Sequence, residues 1–346
     1  MDREDSTRPG AVTLADVARA AGVSTATASK ALNGRAHVSA RAREAVLAAA
    51  ADLSFTPNPF ARALNRSPTN TIGMLTSDLD NRFVLPILLG AEDAFGAGSL
   101  SVLLADARDS PMREQLQIQS LLTRRVDGLL VVGRTTNPRP PVQVVTDVPV
   151  VYVYAPSTDE SDLSFEPDNE LAGRLVAEHL VDIGRRRIAM VSGEDSYAAA
   201  RDRLRGAAAA LSDHGLDLVG SAGSVFGQWT ERWGRTATER LLERHPDIDA
   251  VIAGSDQIAR GVMDSVRESG RSIPGDVAVT GFDNWDILVE DARPPLTSVD
   301  MNLQELGRLG AQALVDAIEG RPRVGRFRHA VSVVERSSTA TIDATA

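Results

Sequence analysis

Residues 12–32 read VTLADVARAAGVSTATASKAL. Thr13 stands three positions before Asp16, a box-like start for a helix. Leu14, Val17 and Ala18 then fall on one face at i, i+3 and i+4. Gly22 follows, and glycine takes a left-handed turn without steric cost. Val23 plugs the turn and Ser24 caps a second helix that runs to about Leu32. Two short helices joined by a glycine turn make a helix-turn-helix. Along the second helix Ser24, Thr25, Ala26, Thr27, Ser29 and Lys30 are small or hydrogen-bonding, which leaves Ala28, Ala31 and Leu32 for packing. A helix face of that kind can approach base edges in a major groove. A solvated surface helix is the alternative.

Working outward, Ser39 caps a third helix whose buried stripe is Ala42, Val46, Ala49, Ala50 and Leu53. Next comes FTPNPFARALNRSPTN at 55–70, where Asn58 and Pro59 form an N-cap and first-turn pair. Only about two turns fit before Ser67 and Pro68, and so short a helix is marginal in water without a partner. A stiff linker is the alternative.

The charge is uneven. The chain has 346 residues and a net charge of −10, but residues 1–66 hold nine Lys or Arg against six Asp or Glu, so the rest carries −13. Only the first segment suits a polyanion; phosphates would repel the remainder. With 43% hydrophobic and 24% charged residues the composition is not that of a disordered chain. Cysteine is absent, which excludes disulfides and thiolate metal sites. The opening MDREDSTRPGAV has no apolar core for a signal peptide, and no apolar run reaches spanning length, so a cytoplasmic protein without membrane association is expected.

VTLADVARAAGVSTATASKALNG, followed by HVSARAREAVLAAAADLSFTPNPFARAL, resembles the head and hinge of the lactose-repressor (LacI-type) family. The resemblance is nearly continuous over residues 12–64. It implies a transcriptional regulator, a repressor, that binds a palindromic double-stranded DNA operator as a homodimer. By the same resemblance Thr25 and Ala26 read bases, and Thr27, Ser29, Asn33 and His37 contact phosphate or sugar. Leu64 wedges into a minor-groove step and kinks the duplex. Thr13, Ser24, Lys30 and Asn58 complete the expected DNA-binding set.

From Thr71 onward, short apolar runs alternate with helical stretches. IGMLTS (72–77), SVLLAD (101–106), GLLVVG (128–133), PVVYVY (149–154), RIAMVS (187–192), AVIAGS (250–255) and VAVTGF (277–282) read as buried parallel strands. Glu170–Ile183, Arg203–His214, Thr230–Glu243 and Gln257–Ser269 read as helices. This alternation predicts a parallel α/β body, and its size predicts two lobes. The family resemblance continues here and implies a body like a periplasmic sugar-binding protein. The expected fold is therefore α/β: an all-α helix-turn-helix head over 1–57, a hinge helix and linker over 58–70, and a two-lobed body over 71–340. Lobe crossings are expected near 164–168, 299–302 and 328–331. One lobe then takes about 71–165 plus 302–328, the other about 166–300 plus 330–340, with a tail over 341–346. No leucine heptad follows Val334, so a coiled-coil tetramer is not expected.

Ligands of open parallel sheets bind beyond the strand carboxyl ends. A sugar-like effector needs planar hydrogen-bonding groups for its hydroxyls and a flat apolar face for its C–H side. Asp78, Asn81, Phe83, Tyr154, Arg201, Trp229, Ser255, Asp256 and Asp283 sit at predicted strand ends or cleft loops. By resemblance Arg201 and Asp283 are bidentate hydroxyl binders and Trp229 is the stacking residue. Each has an ordinary alternative: Arg201 solvated, Asp283 a loop cap, Trp229 core, Phe83 a cover for the hinge. Trp233 and Trp285 are weaker candidates. Three departures from the family pattern suggest a different ligand from that of its best-known members. Ser255 stands for the usual asparagine before Asp256, Arg82 for the usual proline in DNRF, and Tyr154 for an aspartate in some relatives.

Catalytic motifs are missing. There is no phosphate-binding glycine loop, no nucleophile elbow, no metal-binding histidine pair, and the five histidines are scattered. No catalytic residue, metal or cofactor is expected. A sugar-binding module without DNA function and an α/β sugar enzyme with an added head are the competing classes, and residues 12–64 argue against the first.

Overall fold

The computed structural model describes residues 14–32, 39–53, 68–80, 82–96, 100–144, 148–220 and 225–339. The chain divides into two units, Met1–Thr69 and Asn70–Ala346.

In the first unit α1 (Leu14–Ala20), α2 (Thr25–Leu32) and α3 (Ala40–Asp52) pack together. Gly22 has φ +65°. The Gly22 amide donates to the Arg19 carbonyl at 3.2 Å and the Val23 amide to the Ala18 carbonyl at 3.0 Å. That pair of bonds ends α1 in a Schellman turn and satisfies two of its last carbonyls. Ser24 then caps α2, its Oγ accepting from the Thr27 amide at 3.1 Å. Ser39 caps α3 from the Ala42 amide at 3.3 Å. Val17, Ala18, Ala28, Ala31, Val46, Ala49 and Ala50 form the core, with Val23, Leu32 and Leu53 packed at its margin.

The second unit holds two six-stranded sheets. The first comprises β1 (Thr71–Thr76), β2 (Ser101–Asp106), β3 (Gly128–Val132), β4 (Val150–Val153), β5 (Leu163–Pro167) and β11 (Gly325–His329). Its order is β11-β5-β4-β3-β1-β2 and every pair is parallel. The second comprises β6 (Ile188–Ser192), β7 (Val225–Phe226), β8 (Ala250–Ala253), β9 (Ala278–Phe282), β10 (Thr297–Asp300) and β12 (Ser332–Val334), in the order β12-β10-β9-β8-β6-β7. Only β12 runs antiparallel among these pairings. Helices cover both faces, so strands such as β3, β6, β8 and β9 are buried along their whole length and read as continuous apolar runs.

The helices that matter for the site are α4 (Val84–Phe95), α5 (Pro111–Thr123), α6 (Asn169–Asp182), α7 (Ala198–Asp213), α8 (Glu231–Arg244), α9 (Asp256–Glu268), α10 (Asp286–Val289) and α11 (Leu303–Ile318). Helices α6 and α7 meet backbone to backbone. A Cβ on Gly206 would lie 1.9 Å from the Glu170 carbonyl oxygen, and one on Gly173 would lie 2.0 Å from that of Arg203. No other residue fits at that approach, and the closeness brings α7 into register with the start of α6. Helix α7 begins at Ala198, five residues before the expected start at Arg203. Alanine is the best helix former, and the run Ala198–Ala200 belongs to the helix.

Candidate functional site

The carboxyl ends of both sheets open onto one cavity of about 190 Å³. That is far more than the roughly 10–15 Å³ one water needs, so a small organic molecule fits. Each half of the lining follows a strand end. Asp78 lies beyond β1, Thr136 beyond β3 and Tyr154 beyond β4; Tyr197 lies beyond β6, Trp229 beyond β7 and Asp283 beyond β9. The topological rule for ligand sites in parallel sheets places a site in this position.

Arg203 supplies the deepest cation and is 3% exposed. It lies on α7, where Ala199, Ala207 and Ala210 share its face at i−4, i+4 and i+7. Its Nε donates to Asn169 Oδ1 at 2.8 Å and its Nη1 to the Gly254 carbonyl at 2.7 Å. Nη2 lies 3.5 Å from Asp283 Oδ1, and the guanidinium sits 4.5 Å from the centre of the Phe282 ring. The group is thus held rigidly, with one edge turned to Asp283. Asp283 itself has φ +98° and a side chain 5% exposed. Its second oxygen accepts from Arg82 Nη2 at 2.6 Å.

Trp229 lies flat against Gly193, where a Cβ would come within 2.1 Å of the indole. The edge of Tyr197 packs on it at 5.5 Å between ring centres. Trp229 Nε1 is buried and has no hydrogen-bond partner among the described residues. Opposite, Phe83 and Tyr154 pack with their rings 5.3 Å apart. Burial pushes the Tyr154 hydroxyl well above the usual phenol range, with the Asp283 charge adding to the rise. The phenol is therefore a neutral donor and acceptor at any physiological pH. Asp78 pairs with Arg134 at 3.2 Å.

Of the residues singled out for the ligand, Asp78, Phe83, Tyr154, Trp229 and Asp283 line the cavity together. Arg201 does not: it is exposed on the outer side of α7 and donates to the Asp195 carbonyl. Two residues along a helix is a rotation of about 200°, so Arg201 faces water because Arg203 faces the site. Ser255 and Asp256 also stand behind the cavity wall. Ser255 caps α9, its Oγ accepting from the Ile258 amide at 3.3 Å. Asp256, fully buried, accepts from the Trp285 amide at 2.8 Å and from Ser298 Oγ at 2.5 Å, and so anchors the loop that carries Asp283. Burial, then the neighbouring Asp283 charge, push its carboxyl up to about 8. Asn81 lies outside the described residues. Trp233 is a packing residue whose Nε1 donates to the Ser192 carbonyl at 3.0 Å, while Trp285 is 41% exposed and does not line this cavity. Arg82, Arg134, Thr136, Tyr197 and Arg203 were not among the expected ligand residues. The alanine stripe of α7 is the sequence signal that points to Arg203.

On the head, Ser24 Oγ is engaged twice, by the Thr27 amide and at 2.8 Å by Thr27 Oγ1, so both hydroxyls help form the cap of α2. Thr25 is exposed in the first turn of that helix. Ala26, Ser29 and Lys30 are also on α2. Thr13, Asn33, His37, Asn58 and Leu64 lie outside the described residues. No group of His, Cys, Asp and Glu able to hold a metal ion occurs among the described residues, and no described helix is long and apolar enough to cross a membrane.

Residues 13–58 match the family described as bacterial regulatory proteins, lacI family, and residues 177–339 match the periplasmic binding protein-like domain. The chain is similar to the HTH-type transcriptional regulator CelR of Thermobifida fusca, with 35% identity over 89% of this chain and 92% of that protein. It is also similar to the ribose operon repressor of Escherichia coli strain K12, with 33% identity over 88% and 93%. Among solved structures, a lac repressor dimer bound to operator and the anti-inducer ONPF superposes with a TM-score of 0.74, 29% identity and coverage of 95% and 99%. A complex of the regulator CelR with cellobiose gives 0.64, 31%, 96% and 100%. With a three-helix head over the first match, the second sheet within the other, and relatives of 33–35% identity along nearly the whole chain, the chain belongs to the lacI family of bacterial regulatory proteins.

Proposed function

We propose that the chain is a cytoplasmic repressor that grips a palindromic DNA operator as a homodimer and changes its DNA affinity when a small sugar-like effector enters the cleft. It performs no chemistry on that effector. The observation that carries this reading is the convergence of Arg203, Asp283 and Trp229 on one cavity in a chain with a helix-turn-helix head. A planar cation and a carboxylate suit paired hydroxyls, and an indole face suits the C–H side of a sugar ring. Relatives named for ribose and a CelR complex containing cellobiose support the sugar class.

In this reading residues 1–57 read DNA, 58–70 form the hinge and 71–340 sense the ligand. Thr25 and Ala26 meet base edges; Thr13, Ser24, Thr27, Ser29, Lys30, Asn33, His37 and Asn58 meet the backbone or shape the helices that do. Leu64 enters the minor groove. Asp78, Asn81, Phe83 and Tyr154 complete the effector contacts from the first sheet. Dimerisation is supported by an apolar edge. Leu85, Leu89, Leu104, Met112 and Leu116 are all exposed, and all lie on β2 or on α4 and α5, which precede and follow it. A lac repressor dimer among the structural relatives points the same way.

The effector acts only through its differential affinity for the two states of the protein, typically about 1–3 kcal/mol of coupling. Titration of the protein onto a selected duplex, with and without members of a sugar panel, tests the reading. It expects one or more sugars to shift the midpoint by roughly fivefold or more. A midpoint that no sugar moves would reject the effector role.

A further inference from the structure

Two cavities meet at Arg82, Phe83 and Asp283. Besides the cavity already described there is a second, of about 340 Å³, walled by Asn284, Trp285, Asp300 and Asn302. Arg82, Phe83 and Asp283 line both. Arg82 follows β1 of the first sheet, whereas Asp283 and Trp285 follow β9 of the second. The Arg82 side chain therefore reaches from one sheet's loops to the other's. Its guanidinium lies 4.6 Å from the centre of the Phe83 ring and 5.0 Å from that of Trp285. Its Nη2 holds Asp283 Oδ2 at 2.6 Å, and its Nε is buried without a partner among the described residues.

Both oxygens of Asp283 thus face an arginine, one from each side. A hydroxyl approaching Oδ2 therefore competes with Arg82 for that oxygen. A flat group with N–H donors on its edge, set between two aromatic faces and against a carboxylate, presents the pattern of a sugar diol. The tether gives this internal group an effective concentration that a free ligand must beat. Displacing it is nevertheless affordable. When Arg82 leaves, Asp283 keeps Arg203 at 3.5 Å, so the carboxylate is not stranded without a cation.

We propose that Arg82 is a tethered occupant of the effector site: its guanidinium holds the place on Asp283 that effector hydroxyls take, and its departure joins the two cavities into one. Arg82 then determines specificity twice. It sets a threshold of affinity that weak ligands do not pass, and it decides whether a ligand longer than one ring is admitted. The proposal rests on the cleft being the effector site.

The test uses the full-length protein with Arg82→Ala and Arg82→Met, each first checked for an unchanged melting profile of the body. Ethylguanidinium is titrated while tryptophan fluorescence is followed, since Trp285 borders the vacated space. Arg82→Ala should bind it saturably, with a midpoint roughly tenfold or more below any effect on the unaltered chain. The double variant Arg82→Ala with Asp283→Asn should lose that binding. A flat titration for Arg82→Ala, or the same curve for both proteins, overturns the proposal. In parallel, neutral mono- and disaccharides, cellobiose among them, are titrated onto the unaltered chain and Arg82→Met. Binding should tighten in the variant, most for disaccharides; weaker binding would make Arg82 a direct ligand contact and overturn the proposal. If no sugar binds either protein, the effector reading fails, and the ethylguanidinium arm still decides what Arg82 occupies.

Discussion

Val17, Val46 and five alanines make up the buried core of the head, whereas the body fills its interior with side chains such as Tyr152, Phe282, Met74, Ile87 and Leu180. A buried CH₂ contributes roughly 0.8 kcal/mol and a whole Val, Leu or Phe side chain roughly 1.5–3 kcal/mol. The head therefore gains little from burial, and its helices of 7, 8 and 13 residues are marginal on their own. Small core residues let the three helices lie close. The body buries far larger side chains and also holds ionisable groups out of water, with Arg203, Asp256 and Asp283 all at its centre. One unit is a small three-helix head with a thin core; the other is a larger frame that can hold a costly polar site.

Substitutions that probe each unit separately sharpen or break this contrast. The largest effect is expected at Arg203. Arg203→Met leaves Asn169 and the Gly254 carbonyl without their donor and Asp283 with Arg82 alone. It should cost the body about 3–5 kcal/mol in denaturant unfolding and abolish any effector response. A smaller cost with an intact response would show that the site is not held by this network. Val46→Ala comes next, at about 2 kcal/mol. That loss is enough to melt the head in a separate, earlier calorimetric transition while the body's stays in place. A single shared transition that moves as one would mean the two units are not energetically distinct. Ser24→Ala removes the cap of α2 and should cost the head about 1 kcal/mol, visible as weaker DNA binding at unchanged effector affinity.

The pH dependence separates the units further. The folded protein keeps a proton on Asp256 up to about pH 8 that the unfolded chain releases near its ordinary value of about 4. The folded state binds more protons across that window, so body stability should fall as pH rises through it. Asp256→Asn should flatten that slope and leave the head's melting curve as it was. The smallest effect is expected for Arg201→Ala, within about 0.5 kcal/mol and with a normal effector response, because the side chain faces water.

The contrast between Arg201 and Arg203 also shows what could be read from the residues alone. Period and caps exposed the helix-turn-helix, because Gly22, Ser24 and Ser39 each have one local job and the structure shows them doing it. The parallel strands were legible because burial on both faces leaves runs such as GLLVV and IAMVS without polar interruption. Strand ends brought Asp78, Tyr154 and Asp283 into view, and the family resemblance brought Trp229. What failed was rotation about a helix. With the start of α7 set five residues late, Ala199 and Arg201 stood outside the helix, so the rotation that separates Arg201 from Arg203 could not be read. Ser255 and Asp256 were misplaced for a related reason. A residue at the end of a strand can face the cleft or cap the next helix, and only the path of the 283–298 loop makes Asp256 an anchor for Trp285 and Ser298. Arg82 stood out as a departure, but its partner is 201 residues away.

The most direct measurement is selection of duplexes from a randomised pool by the full-length protein at moderate salt, followed by sequencing and by repetition with the sugar panel present. The account predicts enrichment of a palindromic site whose retention changes when one of the sugars is added. Retention of duplexes in proportion to their abundance in the pool, with and without every sugar, would contradict it.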